Sequence, residues 1–469
     1  MVNAGTFGAR QFLVPRSSFI VMQKSLDRKL AAIHADPSGC REFIIADAKD
    51  ADMAFGIGAA GKSPEAHSGE VRFRTLAEYR EQIRQIVRQG KIDIMLMSAS
   101  TNDVLTNRER LFDGSHITPA ARANDTTDVW VLRGNRYVQE PSRPFRSATL
   151  DHIQCGHVDC DDAERTRGTN LGLYSITFNN RLDLDRQALE EYSRFREEAE
   201  AKGFRHFFEV FDPNAPAGLA TDDVPRFIND AIARTLAGVA YAGRPIFLKV
   251  VYHGPKAMEE LVAYDPHLVV GILGGGAGTT YDAFKLIAEA QKYGAKVALY
   301  GRKINNAENQ LAFVEFLRLI TDRLISPEEA VRAYHGVLQK LNVRPQRKLD
   351  DDLTLQTAVM SYGGGSSASV PAGVPTAAAD AHHDCPCKTN PLTPGEPKPA
   401  GCGCHDASPP QPSGSVQPAQ AVPLANARGS EDHRNGDRRG ADEPDFAKMS
   451  AAEKLAYNQR KRDLLFGKY

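Results

Sequence analysis

The chain lacks several features that would assign it quickly. No apolar run approaches the roughly 20 residues of a membrane span, so a bilayer-embedded protein is not expected. The first ten residues (Met1-Val-Asn-Ala-Gly-Thr-Phe-Gly-Ala-Arg10) show no basic stretch followed by a long apolar core, so a secretory signal is not expected. Charge of one sign is also missing. The net is −1 over 469 residues, so bulk electrostatics provide no case for nucleic acid or an anionic membrane. Cysteine is sparse: seven residues, an odd number, four of them in two Cys-x-Cys pairs near the end. That usage predicts reduced thiols and metal binding rather than a disulfide framework, and with it a cytoplasmic location.

What remains is ordinary globular composition, 42% hydrophobic and 25% charged, in an alternating pattern. Short β-rich runs begin at Phe43, Ile92, Val129, Gly172, His206, Ile246, Leu268 and Lys296. Amphipathic stretches lie between them, clearest at Leu184–Ala201, Asp223–Ala237, Lys256–Val262, Tyr281–Tyr293 and Asn306–Ile320. Eight strand–helix units predict an α/β fold of the (β/α)8 barrel type, with an open doubly wound sheet as the alternative. The barrel is assigned to residues 41–345. An N-terminal extension, residues 1–40, adds a helix over Gln23–Ala35 that caps it. Residues 346–448 read as a disordered Gly/Pro/Ser-rich linker. Residues 449–469 read as a short basic amphipathic helix opened by the capping box Ser450-Ala-Ala-Glu453. Two long loops depart from a minimal barrel. One is Asp52–Gly69; the other separates the third and fourth strands and contains Pro141 and Pro144.

Lys249 stands out within Pro245-Ile-Phe-Leu-Lys-Val-Val-Tyr252, otherwise a buried strand. Alternation puts Ile246, Leu248 and Val250 on the helix side and Phe247, Lys249 and Val251 inside. A buried ammonium loses hydration, which favours the free amine and nucleophilic attack on a carbonyl; the plainer role is a lysine paired to a structural carboxylate. Gly274-Gly-Gly-Ala-Gly-Thr-Thr280 then opens a helix, and Gly301-Arg302 follows the next strand. Gly274, Gly275, Gly276, Gly278 and Arg302 are expected to hold phosphate, with backbone N–H groups and a fixed cation, as barrels do after their last two strands. A glycine run alone also serves as a tight turn.

Residues 248–310 resemble the superfamily of class I (Schiff-base) fructose-bisphosphate, tagatose-bisphosphate and deoxyribose-phosphate aldolases. The resemblance is carried by Lys249-Val-Val-Tyr252, the Gly274–Gly278 turn and Gly301-Arg302-Lys-Ile304. It implies a carbon–carbon lyase that forms a Schiff base at Lys249 with a phosphorylated sugar or keto compound and requires no cofactor. It also suggests proton-transfer roles for Asp47, after the first strand, and Glu209, on the fifth. The continuation Gly-Arg-Lys-Ile-Asn-Asn departs from the Gly-Arg-Asn of fructose-bisphosphate members. A homo-oligomer is expected.

Lys49 and Asn102 are further candidates for substrate contact. Asp50, Ser98, Ser100, Thr101, Asn179, Asn180 and Asp212 also sit near strand ends, where Asp, Asn and Ser more often cap helices. His152, Cys155, His157 and Cys160 offer zinc-type ligands or a polar loop. In the tail, Cys385, Cys387, Cys402 and Cys404, flanked by His382, His383 and His405, suit zinc(II) or copper(I). Two rival functions remain open. One is a metal-dependent lyase or isomerase using Asp47, Glu209 and His152. The other is a non-catalytic phosphate-ligand sensor whose tail recruits a protein partner through residues 449–469.

Overall fold

Strand–helix alternation builds eight parallel strands: β1 (Ile44–Lys49), β2 (Ile94–Met97), β3 (Thr118–Arg122), β4 (Leu171–Thr177), β5 (Arg205–Phe211), β6 (Leu248–Val250), β7 (Val270–Leu273) and β8 (Val297–Tyr300). They close in the order β1-β8-β7-β6-β5-β4-β3-β2, so the chain is a (β/α)8 barrel. This computed structural model describes residues 23–61, 73–276 and 278–357. The first residues of the expected linker are ordered: they form a short helix, Leu349–Asp352, and Gln356 and Thr357 bond to Asp282. The rest of the linker, its four cysteines and the terminal helix expected over residues 449–469 lie outside the described residues.

Each strand divides its side chains between two cores. Ile45, Met95, Tyr174, Phe208, Leu248, Val250, Ile272 and Ala298 face the helix layer. Ile44, Ile94, Leu171, Phe207, Phe247, Val269 and Val297 fill the barrel interior toward the N-terminal ends of the strands. Phe207 and Phe247 stack there with ring centroids 4.6 Å apart. The helix α1 (Ser25–Ala35) joins that inner core through Leu26, Leu30 and Ile33. Burying such side chains is worth roughly 1.5–3 kcal/mol each, so α1 plugs the barrel floor. Lys24 supports this end, its Nζ donating to the carbonyls of Phe112, Ser115 and Ile117.

The third strand is not the expected one. Val129–Leu132 was expected there, yet β3 is Thr118-Pro-Ala-Ala-Arg122. Alanine and proline are poor strand formers, so local propensity pointed away from it. Small side chains suit this position because both faces are covered: Ala120 and Ala121 are fully buried. The apolar run that misled instead sits in the long connection to β4. There Trp130 packs against Tyr137 and Phe145 at centroid distances of 5.3 and 5.0 Å. That connection carries a two-stranded hairpin, Asp125–Thr126 against Pro144–Phe145. Asn214 ties it down, donating to the carbonyls of Val138 and Glu140 and accepting from the Ser142 N–H.

A buried ionic knot joins α1, β1, the start of β2 and the helix Gln310–Thr321. Asp93 accepts from Lys29 at 2.9 Å, Arg318 at 2.7 Å and the Ile45 N–H at 2.9 Å. Burial pushes the Asp93 carboxyl up, but Arg318 and Lys29 together hold it below its usual value. Asp93→Asn strands two buried cations and should cost roughly 3–5 kcal/mol, read by chemical denaturation at pH 7. A depressed carboxyl stabilises the fold above its unfolded value of about 3.9 and loses that contribution as pH falls through the folded value. The wild-type advantage over Asp93→Asn should therefore vanish in acid.

Candidate active site

Toward the C-terminal ends of the strands the interior turns polar. Ser175, Glu209 and Lys249 are register partners on β4, β5 and β6, with Gly271 next on β7. All three side chains are buried. Lys249 Nζ lies 2.5 Å from Glu209 Oε1. Ser175 donates to the other carboxylate oxygen at 2.6 Å. The lysine meets Oε1 off the axis of a hydrogen bond, so Oε1 has no well-directed donor. Gly271 is obligatory beside the pair, because a Cβ there would stand 2.6 Å from the Leu248 carbonyl oxygen.

Glu209 and Lys249 line a chamber of about 370 Å³ that also presents Asp50, Arg122, Asp128 and Asp212. Arg122 donates from Nε to Asp50 at 2.7 Å, while its Nη1 is buried without a partner. Burial opposes the charge on Arg122, but Asp50 and Glu209 more than offset it and hold the guanidinium protonated. Asp128 is pinned by Ser142 and Thr177, each at 2.8 Å. Asp212 Oδ1 lies 2.8 Å from His253 Nε2, linking the ends of β5 and β6. Val129, Val131 and Val138 of the long connection cover one side, so this loop shapes the entrance.

A second cavity of about 710 Å³ adjoins the chamber. Arg302, Phe55, Ala51 and Val131 line both. The outer cavity adds Arg74, Arg133, Lys303, Arg344 and Arg347, against one acid, Glu308. Gly274 and Gly275 line the inner chamber; Gly276 and Gly278 line the outer one. Gly275 takes φ 61°, and a Cβ on Gly276 would stand 2.8 Å from Arg302 Nε. The glycines thus let the guanidinium lie against the backbone. Burial lowers Lys303 to about 8, where its Nζ donates to the carbonyls of Gly278 and Thr279.

Several expected positions fall elsewhere. The helix after β7 (Thr280–Lys292) does not offer its first N–H groups to a phosphate. Thr279 N–H donates to Asp282 and Thr280 N–H to Asp352, at 2.6 and 2.8 Å. Asp47 and Lys49 share the parity of Ile45 and face the helix layer, away from Glu209 and Lys249. There Lys49 reaches Gln310 at 2.9 Å, Asn305 at 3.3 Å and Asp47 at 3.7 Å. Burial pushes Asp47 up to about 6, against the pull of Lys49. Asp50, three residues on and just beyond β1, is the carboxylate from this end of the strand that lines the chamber. Asn102 is a structural tie, donating to the Ile153 carbonyl and accepting from Thr169. His152 belongs to a helix start, its ring bonded to Thr149 at 2.8 Å, so Asp47, Glu209 and His152 form no common site. Cys155 and Cys160 are joined in a disulfide, contrary to the expectation of free thiols.

Sequence reasoning missed Arg122 because it missed β3. Arg74, Arg133 and the pair Arg344 and Arg347 come from three distant segments and leave no local motif. His253 carried a signal, standing four residues beyond Lys249 at the strand's period of two.

No protein-family model and no curated protein matches the chain. Among solved structures it is similar in fold to a Schiff-base-forming fructose-1,6-bisphosphate aldolase, at 15% identity and a TM-score of 0.45, covering 62% of this chain and 99% of that one. A fructose-bisphosphate aldolase from Slackia heliotrinireducens is similar at 13% identity and a TM-score of 0.47, covering 68% of this chain and 92% of its own. An archaeal fructose 1,6-bisphosphate aldolase is similar at 14% identity and 0.44, over 62% and 98%. At such values the chemistry must be argued from the residues of this chain.

If the outer cavity holds an anion, Arg302→Ala removes a charge-assisted bond of roughly 1.5–3 kcal/mol. Sulfate affinity measured by calorimetry should drop about ten-fold or more, while Asp47→Asn should leave it unchanged. Lys303 carries its charge below about 8 and sheds it above. Sulfate, a dianion throughout, should therefore bind more weakly as pH rises through that value, and Lys303→Met should flatten the step.

Proposed function

We propose that the chain is a class I aldolase-type carbon–carbon lyase that forms a Schiff base between Lys249 and a phosphorylated sugar or keto compound. The observation that carries this reading is the Lys249–Glu209 contact of 2.5 Å inside a chamber that opens onto the arginine-lined cavity. A structural ion pair has no need of a chamber beside it, and this one lines the inner chamber.

The chemistry follows from the contacts. Glu209 accepts a proton from the Lys249 ammonium, and the free amine attacks the substrate carbonyl carbon. The carbonyl oxygen becomes a carbinolamine hydroxyl. Glu209 returns its proton to that hydroxyl, water departs, and an iminium remains. The iminium then accepts the electron pair of the breaking carbon–carbon bond, while the hydroxyl on the departing carbon passes its proton to the Glu209 carboxylate, ionised again by the dehydration, and becomes a carbonyl. Ser175 keeps the Glu209 carboxylate turned toward the amine. The buried Arg122 Nη1 supplies a donor for a substrate hydroxyl or developing oxyanion. The phosphate sits beyond Arg302, among Arg74, Arg133, Lys303, Arg344 and Arg347. Asp47 has no part in this scheme.

Borohydride reduction in the presence of a panel of three- to seven-carbon sugar phosphates tests the reading. At least one should give a stable mass adduct that maps to Lys249. Lys249→Arg keeps the charge but not the nucleophile, so the adduct should disappear and turnover fall by several orders of magnitude, while sulfate binding persists. A folded Lys249→Arg chain that retains turnover contradicts the proposal.

A further inference from the structure

The segment Cys155-Gly-His157-Val-Asp-Cys160, with Glu164 beyond it, is used neither by the barrel core nor by the chamber. It joins the helix Leu150–Gln154 to the helix Asp162–Arg167 ahead of β4. Two left-handed residues, Gly156 (φ 88°) and Asp159 (φ 59°), fold it back on itself. The turn brings one ligand atom each of Cys155, His157 and Glu164 within 4.8 Å of one another. Cys160 completes the group, since its sulfur is bonded to that of Cys155.

We infer that this cluster is a zinc site whose availability is set by the redox state of Cys155 and Cys160. Two thiolates, one imidazole and one carboxylate form a tetrahedral donor set of the kind zinc takes, and the sulfurs disfavour magnesium and calcium. The groups behind the donors support the assignment. His157 Nδ1–H donates to the Val158 carbonyl at 2.7 Å, which leaves Nε2 as the coordinating nitrogen. Nε2 points at Glu164 Oε1, 3.0 Å away. Glu164 Oε2 is held by the Asp161 N–H at 3.0 Å, so the oxygen nearer the imidazole is the one presented. His157 is exposed and Cys155 and Glu164 are half-buried, so an ion can enter from solvent.

In the disulfide state the sulfurs carry no thiolate, and His157 and Glu164 pair with each other instead. A dithiol reductant transfers two hydrogen atoms to the Cys155–Cys160 bond and closes to its own disulfide. Zinc(II) then displaces one proton from each thiol, and the proton held between Nε2 and Oε1, into solvent, and Nε2 and Oε1 turn from each other to the metal. The disulfide and the metal exclude one another. This inference is independent of the chemistry proposed at Lys249.

The test uses the full chain with Cys40, Cys385, Cys387, Cys402 and Cys404 replaced by Ser, so that tail thiols cannot contribute. Zinc content is measured by native mass spectrometry after treatment with a thiol-free phosphine reductant, and again after reoxidation. Cobalt(II) is added in parallel to read thiolate-to-metal charge transfer. The reduced chain should take up about one equivalent, as a four-ligand site requires; the oxidised chain should take up none. Adding Cys155→Ser and Cys160→Ser should abolish uptake. His157→Ala, which leaves both thiols in place, should weaken it at least ten-fold. No uptake by the reduced chain, or equal uptake by oxidised and reduced chains, overturns the inference. So does uptake unaltered in a folded His157→Ala chain, which keeps the test decisive if the double serine variant fails to fold.

Discussion

Holding Lys249 and Glu209 together out of water is the constraint on which the rest of the structure turns. Desolvating two charges costs several kcal/mol per ion, and their attraction repays it only where the geometry is fixed. Three neighbouring strands supply that geometry, because parallel register sets Ser175, Glu209 and Lys249 side by side. The aromatic floor of Phe207 and Phe247, closed from below by α1, keeps water from the other end. The barrel is therefore apolar at its floor and charged at its mouth, and the transition falls within single strands: Phe207 to Glu209 on β5, Phe247 to Lys249 on β6.

Much of this was legible from period alone. Alternation in Ile246–Val251 placed Lys249 inward, and seven of the eight barrel strands lie where β-rich runs were read. The same logic failed at β1, where Ile44-Ile-Ala-Asp-Ala-Lys49 carries apolar residues on both faces. Its polar pair, Asp47 and Lys49, looks as if it should face the site. The structure instead turns the small Ala46 and Ala48 inward and buries the pair against Asn305 and Gln310 of the helix layer. A doubly covered strand leaves parity undetermined by composition. The third strand failed for the opposite reason: Ala120 and Ala121 pack between covered faces without the branched side chains that announce a strand.

The arginine-lined cavity shows a different limit. Glycines and Arg302 marked its position, yet the first N–H groups of the following helix are taken by Asp282 and Asp352. The cations that enlarge the cavity come from residues 74, 133, 344 and 347, brought together only by closure of the barrel and by the chain beyond its last helix. Electrostatic convergence of this kind has no sequence spacing. It depends on long-range topology, as does the contact between Arg122 and Asp50.

The central claim is that Lys249 exchanges its amine for the oxygen of a bound carbonyl. Each reversible imine formation expels that oxygen as water, whatever follows. A phosphorylated ketone labelled with heavy oxygen at its carbonyl and mixed with the protein in unlabelled water reads this directly. Mass spectrometry should show loss of the label at a rate proportional to protein concentration, and loss only at the protein-free rate with Lys249→Arg. Label lost at the protein-free rate with the wild-type chain, across ketones shown to bind, would contradict the account.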